Sequence, residues 1–237
     1  MSKTNAQKRI RLWDLPTRVF HWSLALLVFA LLISGQIGGN AIDWHARFGV
    51  AVAGLLAFRI VWGLAGSTYA RFAQFFPTPA SLRAYLRGEW RGVGHNPLGA
   101  FSVFGLLGLL VLQVATGLFA NDDIAFNGYL YTLVSKELSD RLTGIHHLTS
   151  DLLIGLVVLH LGAIIFYTHV KKDNLLKPML TGWKEADEGV AEPARGGGLI
   201  ALIIALTVAG GAIYAASGCW IPTPPPPPAA APATPAW

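Results

Sequence analysis

The sequence predicts an all-α transmembrane protein, a four-helix bundle followed by a fifth, C-terminal transmembrane helix. The composition is the first indication, because the 237 residues are 53% hydrophobic and only 13% charged. A soluble domain is usually about 25% charged. The second indication is a set of five apolar runs of the length, about 17–25 residues, that a helix needs to cross a bilayer. We place these runs near residues 19–37, 45–65, 99–120, 146–168 and 197–216.

The segments between the runs divide the chain into regions. Residues 1–18 form a polar, basic N-terminal segment, 19–168 the four-helix core, 169–195 a charged linker and 196–217 the fifth helix. Residues 218–237 form a tail rich in proline and alanine, which is expected to be extended. The N-terminal segment lacks the pattern of a cleavable signal peptide, so the first run is expected to remain as an anchor.

Lysine and arginine are concentrated in alternate connecting segments, which predicts the orientation. They are frequent in residues 1–18, 66–98 and 169–195, whereas 38–44 has none and 121–145 has two among four acids. Cytoplasmic loops carry the excess of basic residues, so the N-terminus is expected in the cytoplasm and the C-terminal tail outside it. The net charge of +5 follows from this topology and does not indicate nucleic-acid binding.

Histidines lie at defined depths in the apolar runs. His21 is near the cytoplasmic end of the first run, His45 and His146 are at the outer ends of the second and fourth, and His160 follows fourteen residues later. Fourteen residues are nearly four turns, so His146 and His160 share a helix face about 21 Å apart. Ionisable groups inside a membrane are costly and usually mark function. Imidazoles from facing helices of a bundle are axial ligands of haem iron.

Depth pairs these histidines as outer and inner ligand sets. His45 pairs with His146, and His21 with His160, which predicts two haem b groups, each with bis-histidine ligation and no open site for oxygen. On depth alone His169 competes with His160, but the VKKDN that follows it favours a solvated, interfacial role. In a haem-free scaffold the histidines would only bond neighbouring helices, and their pairing by depth would stay unexplained.

Basic residues near these depths are candidates for the haem propionates. Arg59 follows His45 by fourteen residues, so it faces the inner site, where a propionate is a suitable bidentate partner. The alternative, in which Arg59 extends to the interface, stays open. Arg18 at the inner boundary and Arg47 at the outer surface are further candidates. His95, just before the third run, is interpreted as structural or as a propionate neighbour.

Four segments resemble the bacterial cytochrome b-561 family, which includes the b-type cytochrome subunit of membrane-bound nickel–iron hydrogenases. They read WDLPTRVFHW, AFRIVWGLAGSTYARFAQF, GHNPLGA and HVKKDNLLKPMLTGWK, and the resemblance runs from about residue 11 to 184. It implies a four-helix core with two b haems and ligands in helices one, two and four. These ligands map onto His21, His45, His146 and His160.

One position departs from the family pattern. The residue after the first histidine of helix four is usually acidic, and here it is His147. This leaves a choice between His146 and His147, which the fourteen-residue spacing to His160 settles for His146. The fifth helix and the proline tail extend past the recognised core.

The resemblance implies electron transfer in the bacterial inner membrane, with the tail in the periplasm. The expected partners are a periplasmic hydrogenase-type subunit or c-type cytochrome and the membrane quinone. The acids of residues 121–145 are suited to a basic partner. An alternative is a quinone-linked oxidoreductase acting on a small oxidant such as superoxide. That activity requires a positively charged funnel, for which Arg47 and Lys136 are the nearest cations.

Overall fold

The computed structural model describes residues 7–187 and 192–222, so most of the proline-rich tail lies outside the described residues. The elements in chain order are β1 (Gln7–Arg11), α1 (Leu15–Ile37), α2 (Ala41–Ala65), α3 (Phe72–Phe75), α4 (Pro79–Leu86), α5 (Pro97–Gly117), α6 (Lys136–His169), α7 (Leu176–Thr181), β2 (Trp183–Asp187) and α8 (Gly198–Ala216). Five of these helices, α1, α2, α5, α6 and α8, are long and apolar enough to cross a membrane. The predicted all-α transmembrane fold is confirmed.

Helices α1 and α6 begin earlier than the predicted apolar runs, because their first turns are capped by polar side chains. The Asp14 carboxylate accepts a hydrogen bond from the Thr17 N–H at 2.8 Å, so α1 begins at Leu15. Ser135 caps α6, which begins ten residues before the predicted 146. The 34 residues of α6 give a length of about 51 Å. This exceeds the roughly 30 Å of a hydrocarbon core, so the ends of α6 project from it.

Helix α2 lies at the centre of the bundle. It packs against α1, α5 and α8, and α5 packs against α6. Of the five long helices, α2 has the largest buried share. Helix α8 approaches it closely at Gly54, where an added Cβ would lie 2.6 Å from a carbon of Ile213. The arrangement is therefore two antiparallel pairs, α1–α2 and α5–α6, joined through α2 and flanked by α8.

A small antiparallel sheet at one end of the bundle is an addition to the predicted fold. Strand β1 pairs with β2, with Ile10 opposite Lys184, and Ile10 is 1% exposed. The segment before α8 is tied to the same end, because the Ala194 N–H donates to the Arg11 carbonyl at 2.7 Å. These contacts link the start of α1 to the start of α8.

Candidate haem-binding site

The two outer histidines approach each other from different helix pairs. The rings of His45 on α2 and His146 on α6 have centroids 6.1 Å apart and planes inclined by 79°. Metal–imidazole bonds are about 2 Å long, so two imidazoles on opposite sides of one iron have centroids roughly 6 Å apart. The residues at this end therefore fit one six-coordinate haem iron.

Each outer ring is held by a backbone carbonyl of the neighbouring helix. His45 Nδ1 lies 3.0 Å from the Leu31 carbonyl oxygen of α1. His146 Nδ1 lies 3.0 Å from the Gln113 carbonyl oxygen of α5. A carbonyl only accepts hydrogen bonds, so Nδ1 carries the proton in both rings and the Nε2 lone pair is available for a metal. This is the usual arrangement of a histidine ligand, whose second nitrogen donates to a carbonyl.

The inner histidines have fewer polar contacts in the described part of the chain. His21 Nδ1 on α1 is buried and has no hydrogen-bond partner there. His160 Nδ1 on α6 lies 3.4 Å from the Ser102 hydroxyl of α5. A polar atom buried without a partner is costly. The inner end therefore has unsatisfied polar groups that suit a bound group, but the structure gives no ring-to-ring contact between His21 and His160.

His95 lies beside this inner set. Its ring packs between Trp13 and Phe75, with centroid distances of 4.8 and 4.5 Å. Burial and, to a smaller extent, the neighbouring charges of Arg59, His21 and His160 together lower the pKa of His95 to about 3. His95 Nδ1 also lacks a hydrogen-bond partner among the described residues. His95 is thus a neutral imidazole next to the candidate inner ligands.

Arg59 is buried rather than extended to the interface. It is 4% exposed, and its guanidinium lies 4.5 Å from the ring centroid of Phe72 and 5.9 Å from that of Phe20. Its Nη1 has no hydrogen-bond partner in the described chain. The nearby Asp14 carboxylate accepts hydrogen bonds from other donors, and an arginine buried in a membrane span without a bonded anion is expensive. Arg59 therefore fits a carboxylate supplied by a bound group, as a haem propionate would be.

The other candidate residues have local contacts. Arg18 donates from Nη1 to the Leu180 carbonyl of α7 at 2.5 Å. Arg47 is exposed, with its guanidinium 5.0 Å from the Trp44 ring centroid. His147 is exposed beside His146, and His169 is the exposed last residue of α6. The structure gives no contact between Arg18 or Arg47 and a candidate ligand.

The contribution of α5 to the site was not predicted from the sequence. This helix carries no candidate ligand, yet it supplies Gln113, Thr116 and Ser102 to the rings of His146 and His160. Backbone carbonyls have no sequence signature. A signal that could have found Thr116 is a hydroxyl residue followed by glycine within an apolar helix, a pattern that Ser34–Gly35 of α1 shares.

Comparisons with known proteins indicate the family of this chain. A family model described as prokaryotic cytochrome b561 matches residues 12–182. The chain is similar to a "Probable Ni/Fe-hydrogenase B-type cytochrome subunit" of Azotobacter vinelandii, with 26% identity over 77% of this chain and 91% of the relative. A protein of the same name in Cupriavidus necator is 25% identical over 75% of this chain and 87% of its own length. No solved structure matches.

The family resemblance found in the sequence is thereby confirmed. The matched region includes α1, α2, α5 and α6, with all four candidate ligand histidines. The fifth helix, α8, lies beyond it. This chain belongs to the prokaryotic cytochrome b561 family, as a multi-pass membrane protein of electron transport with b-type haem.

Proposed function

We propose that this chain is a di-haem cytochrome that transfers electrons across the bacterial inner membrane, between a periplasmic redox partner and the quinone pool. The observation that carries the proposal is the approach of His45 and His146 from two helix pairs to a centroid distance of 6.1 Å. Haem b supplies the one-electron redox chemistry when it is bound. The protein binds and orients this group, and excludes water from it.

The residues divide into an outer and an inner set. His45 and His146 are the proposed outer ligands, and His21 and His160 the proposed inner ligands. Arg59 neutralises an inner propionate, because it is buried and has an unpartnered Nη1. The step of fourteen residues from His146 to His160 separates the two depths by about 21 Å along α6. Two redox centres at these depths would span most of a hydrocarbon core of about 30 Å.

The proposed periplasmic partner is a hydrogenase, with a c-type cytochrome as the second candidate. The names of the similar proteins in Azotobacter vinelandii and Cupriavidus necator support the hydrogenase. The proposed orientation puts the loop between α5 and α6 in the periplasm. Asp122 in this loop is exposed, and its side chain accepts the backbone N–H groups of residues 124–126. These bonds fix the turn that carries this exposed acid, and an acidic loop suits a basic docking partner.

The alternative activity on a small anionic oxidant has less support. Lys136 is bound to Asp123 at 2.6 Å and to Asp140 at 3.0 Å. Arg47 stacks on Trp44. The two cations that the sequence offered for an anion funnel are therefore engaged with acidic or aromatic neighbours. We favour the electron-transfer role with a protein partner.

The first experiment measures haem per chain on the full-length protein purified in detergent, with a reduced-minus-oxidised spectrum. Two non-covalent b haems with low-spin spectra are expected, because each iron has two imidazoles. One haem per chain would contradict the di-haem proposal. A purified protein that is folded, with its full helix content, but contains no haem would overturn the proposed function.

Single substitutions then test the ligand pairs. His45→Ala and His146→Ala should each remove the same redox centre in a potentiometric titration, and His21→Ala and His160→Ala the other one. His147→Ala is the matched control for His146→Ala, since both residues lie on α6 and only His147 is exposed. If His169→Ala removes a centre while His160→Ala retains both, the inner pair is wrong.

A further inference from the structure

The two outer rings are supported by the same local arrangement, built once in each helix pair. His45 on α2 contacts α1 at the Leu31 carbonyl and at the hydroxyl of Ser34, three residues later. His146 on α6 contacts α5 in the same way, at the Gln113 carbonyl and at the hydroxyl of Thr116, three residues later. The Ser34 hydroxyl lies 3.3 Å from His45 Nδ1, and the Thr116 hydroxyl 3.2 Å from His146 Nδ1.

Each hydroxyl group has one proton to donate, and this decides whether it donates to the ring or accepts from it. The Ser34 hydroxyl donates to the Ala30 carbonyl at 2.7 Å, and the Thr116 hydroxyl to the Leu112 carbonyl at 2.7 Å. Serine and threonine inside helices commonly donate to the carbonyl four residues earlier. With its single proton used in this way, each hydroxyl oxygen is left as an acceptor. The Nδ1–H of each ring is therefore shared between a carbonyl and a hydroxyl oxygen.

A glycine directly after each hydroxyl residue makes room for the ring. A Cβ added at Gly35 would lie 3.2 Å from Cε1 and Nδ1 of His45. A Cβ added at Gly117 would lie 2.9 Å from Cε1 of His146. Both distances are shorter than ordinary carbon contacts. Each imidazole thus rests on a hydroxyl–glycine pair of the neighbouring helix, which limits both its position and its rotation.

We propose that Ser34 and Thr116 are positioning residues for the outer haem, and that together they hold its two axial imidazole planes nearly perpendicular. The inference rests on the proposed ligation by His45 and His146. Because the two supports lie on different helices, they fix the rings independently, with the observed 79° between the planes. Perpendicular imidazoles on a low-spin ferric iron give a strongly anisotropic electron paramagnetic resonance spectrum, so the plane angle can be measured.

The test uses Ser34→Ala and Thr116→Val in the full-length, haem-loaded protein. Both variants should retain two haems per chain. The largest g value of one low-spin centre should shift or broaden, and its midpoint potential should rise. The potential rises because a weaker Nδ1–H hydrogen bond makes the imidazole a less electron-rich ligand. Ser34→Thr and Thr116→Ser keep the hydroxyl and should restore both values.

Ser102→Ala is the matched control, since Ser102 contacts the inner His160 at 3.4 Å. It should leave the centre affected by Ser34→Ala unchanged. The glycines provide a second series that does not depend on the hydroxyls. Gly117→Ala should disturb the same centre more than Gly35→Ala does, because its Cβ would lie closer to the ring.

The proposal is overturned if Ser34→Ala and Thr116→Val leave the spectrum and potential of both centres unchanged. It is also overturned if Ser34→Ala or Thr116→Val loses a haem and the matching variant that keeps the hydroxyl, Ser34→Thr or Thr116→Ser, loses it too. Packing would then explain the loss. A His45→Ala protein that retains both centres would instead refute the ligand assignment, so the two failures are distinguishable.

Discussion

Trp62 donates its indole N–H to the Asp14 carboxylate at 3.0 Å, which ties the end of α2 to the start of α1. The other carboxylate oxygen of Asp14 caps α1 through the Thr17 N–H. Asp14 is 8% exposed and Trp62 is 3% exposed. A single buried carboxylate therefore satisfies donors from two helices at the end of the bundle that holds the inner histidines.

Replacing Asp14 should destabilise the protein. Asp14→Ala removes a helix cap, worth about 1 kcal/mol, and leaves the buried Trp62 donor unsatisfied, which costs about 1–3 kcal/mol. Thermal unfolding in detergent should show a clearly lower midpoint, with a smaller loss for Asp14→Asn, which retains acceptor oxygen. Asp43→Ala is the control, because Asp43 is exposed. Equal midpoints for Asp14→Ala and Asp43→Ala would contradict this prediction.

The contact between Gly54 and Ile213 should behave as a coupled pair. Gly54→Ala places a Cβ 2.6 Å from Ile213 and 3.3 Å from the Ala209 carbonyl. Overpacking of this kind costs about 1–3 kcal/mol. Ile213→Ala removes the obstructing carbons, so the double variant should be more stable than the sum of the single changes predicts. A double-mutant cycle on thermal unfolding measures this coupling, and strict additivity would show that α8 does not pack there.

Arg59→Met should affect the inner redox centre alone. The change removes a buried positive charge near His95, and His95 in turn lies near His21 and His160. Without that charge the more positive, oxidised form of a nearby haem becomes relatively more stable, so the inner midpoint potential should fall. Potentiometric titration of the two centres checks this, with the exposed outer Arg47→Met as the control. If Arg59→Met instead lowers the midpoint potential of the outer centre, Arg59 does not lie beside the inner haem.

The orientation can be tested with Cys219, the single cysteine of the chain. It is exposed and lies just after α8. The distribution of basic residues predicts that this end of α8 faces the periplasm. A membrane-impermeant maleimide should therefore label Cys219 in intact cells. Ala80→Cys in a Cys219→Ser background should resist labelling until the membrane is opened. The reverse pattern would invert the topology.

The membrane helices were predictable because hydropathy depends on composition alone. Their ends were less so, since the polar caps Asp14 and Ser135 extend α1 and α6 beyond the apolar runs. The β1–β2 sheet was not predicted. Its strands are five residues long, separated by more than 170 positions and rich in charge, so neither has a recognisable pattern.

The candidate site was predictable to the level of depth. The predicted topology placed His45 and His146 at the same outer depth, and the structure brings their rings together. The sequence did not identify the hydrogen-bond partners of the two Nδ1 atoms, because the Leu31 and Gln113 carbonyls become acceptors only through the packing of neighbouring helices. The burial of Arg59 under Phe72 likewise depends on a short helix that no apolar run marks.

The division of the outer site between two helix pairs has a consequence for biogenesis. The α1–α2 pair contributes His45 and the α5–α6 pair contributes His146, so neither pair alone offers both outer ligands. Under the proposed ligation, a nascent chain whose hairpins have inserted separately into the bilayer cannot acquire a bis-histidine spectrum at this level. Incorporation of the outer haem would then report when the two hairpins associate. The appearance of its absorption spectrum during synthesis would follow this step.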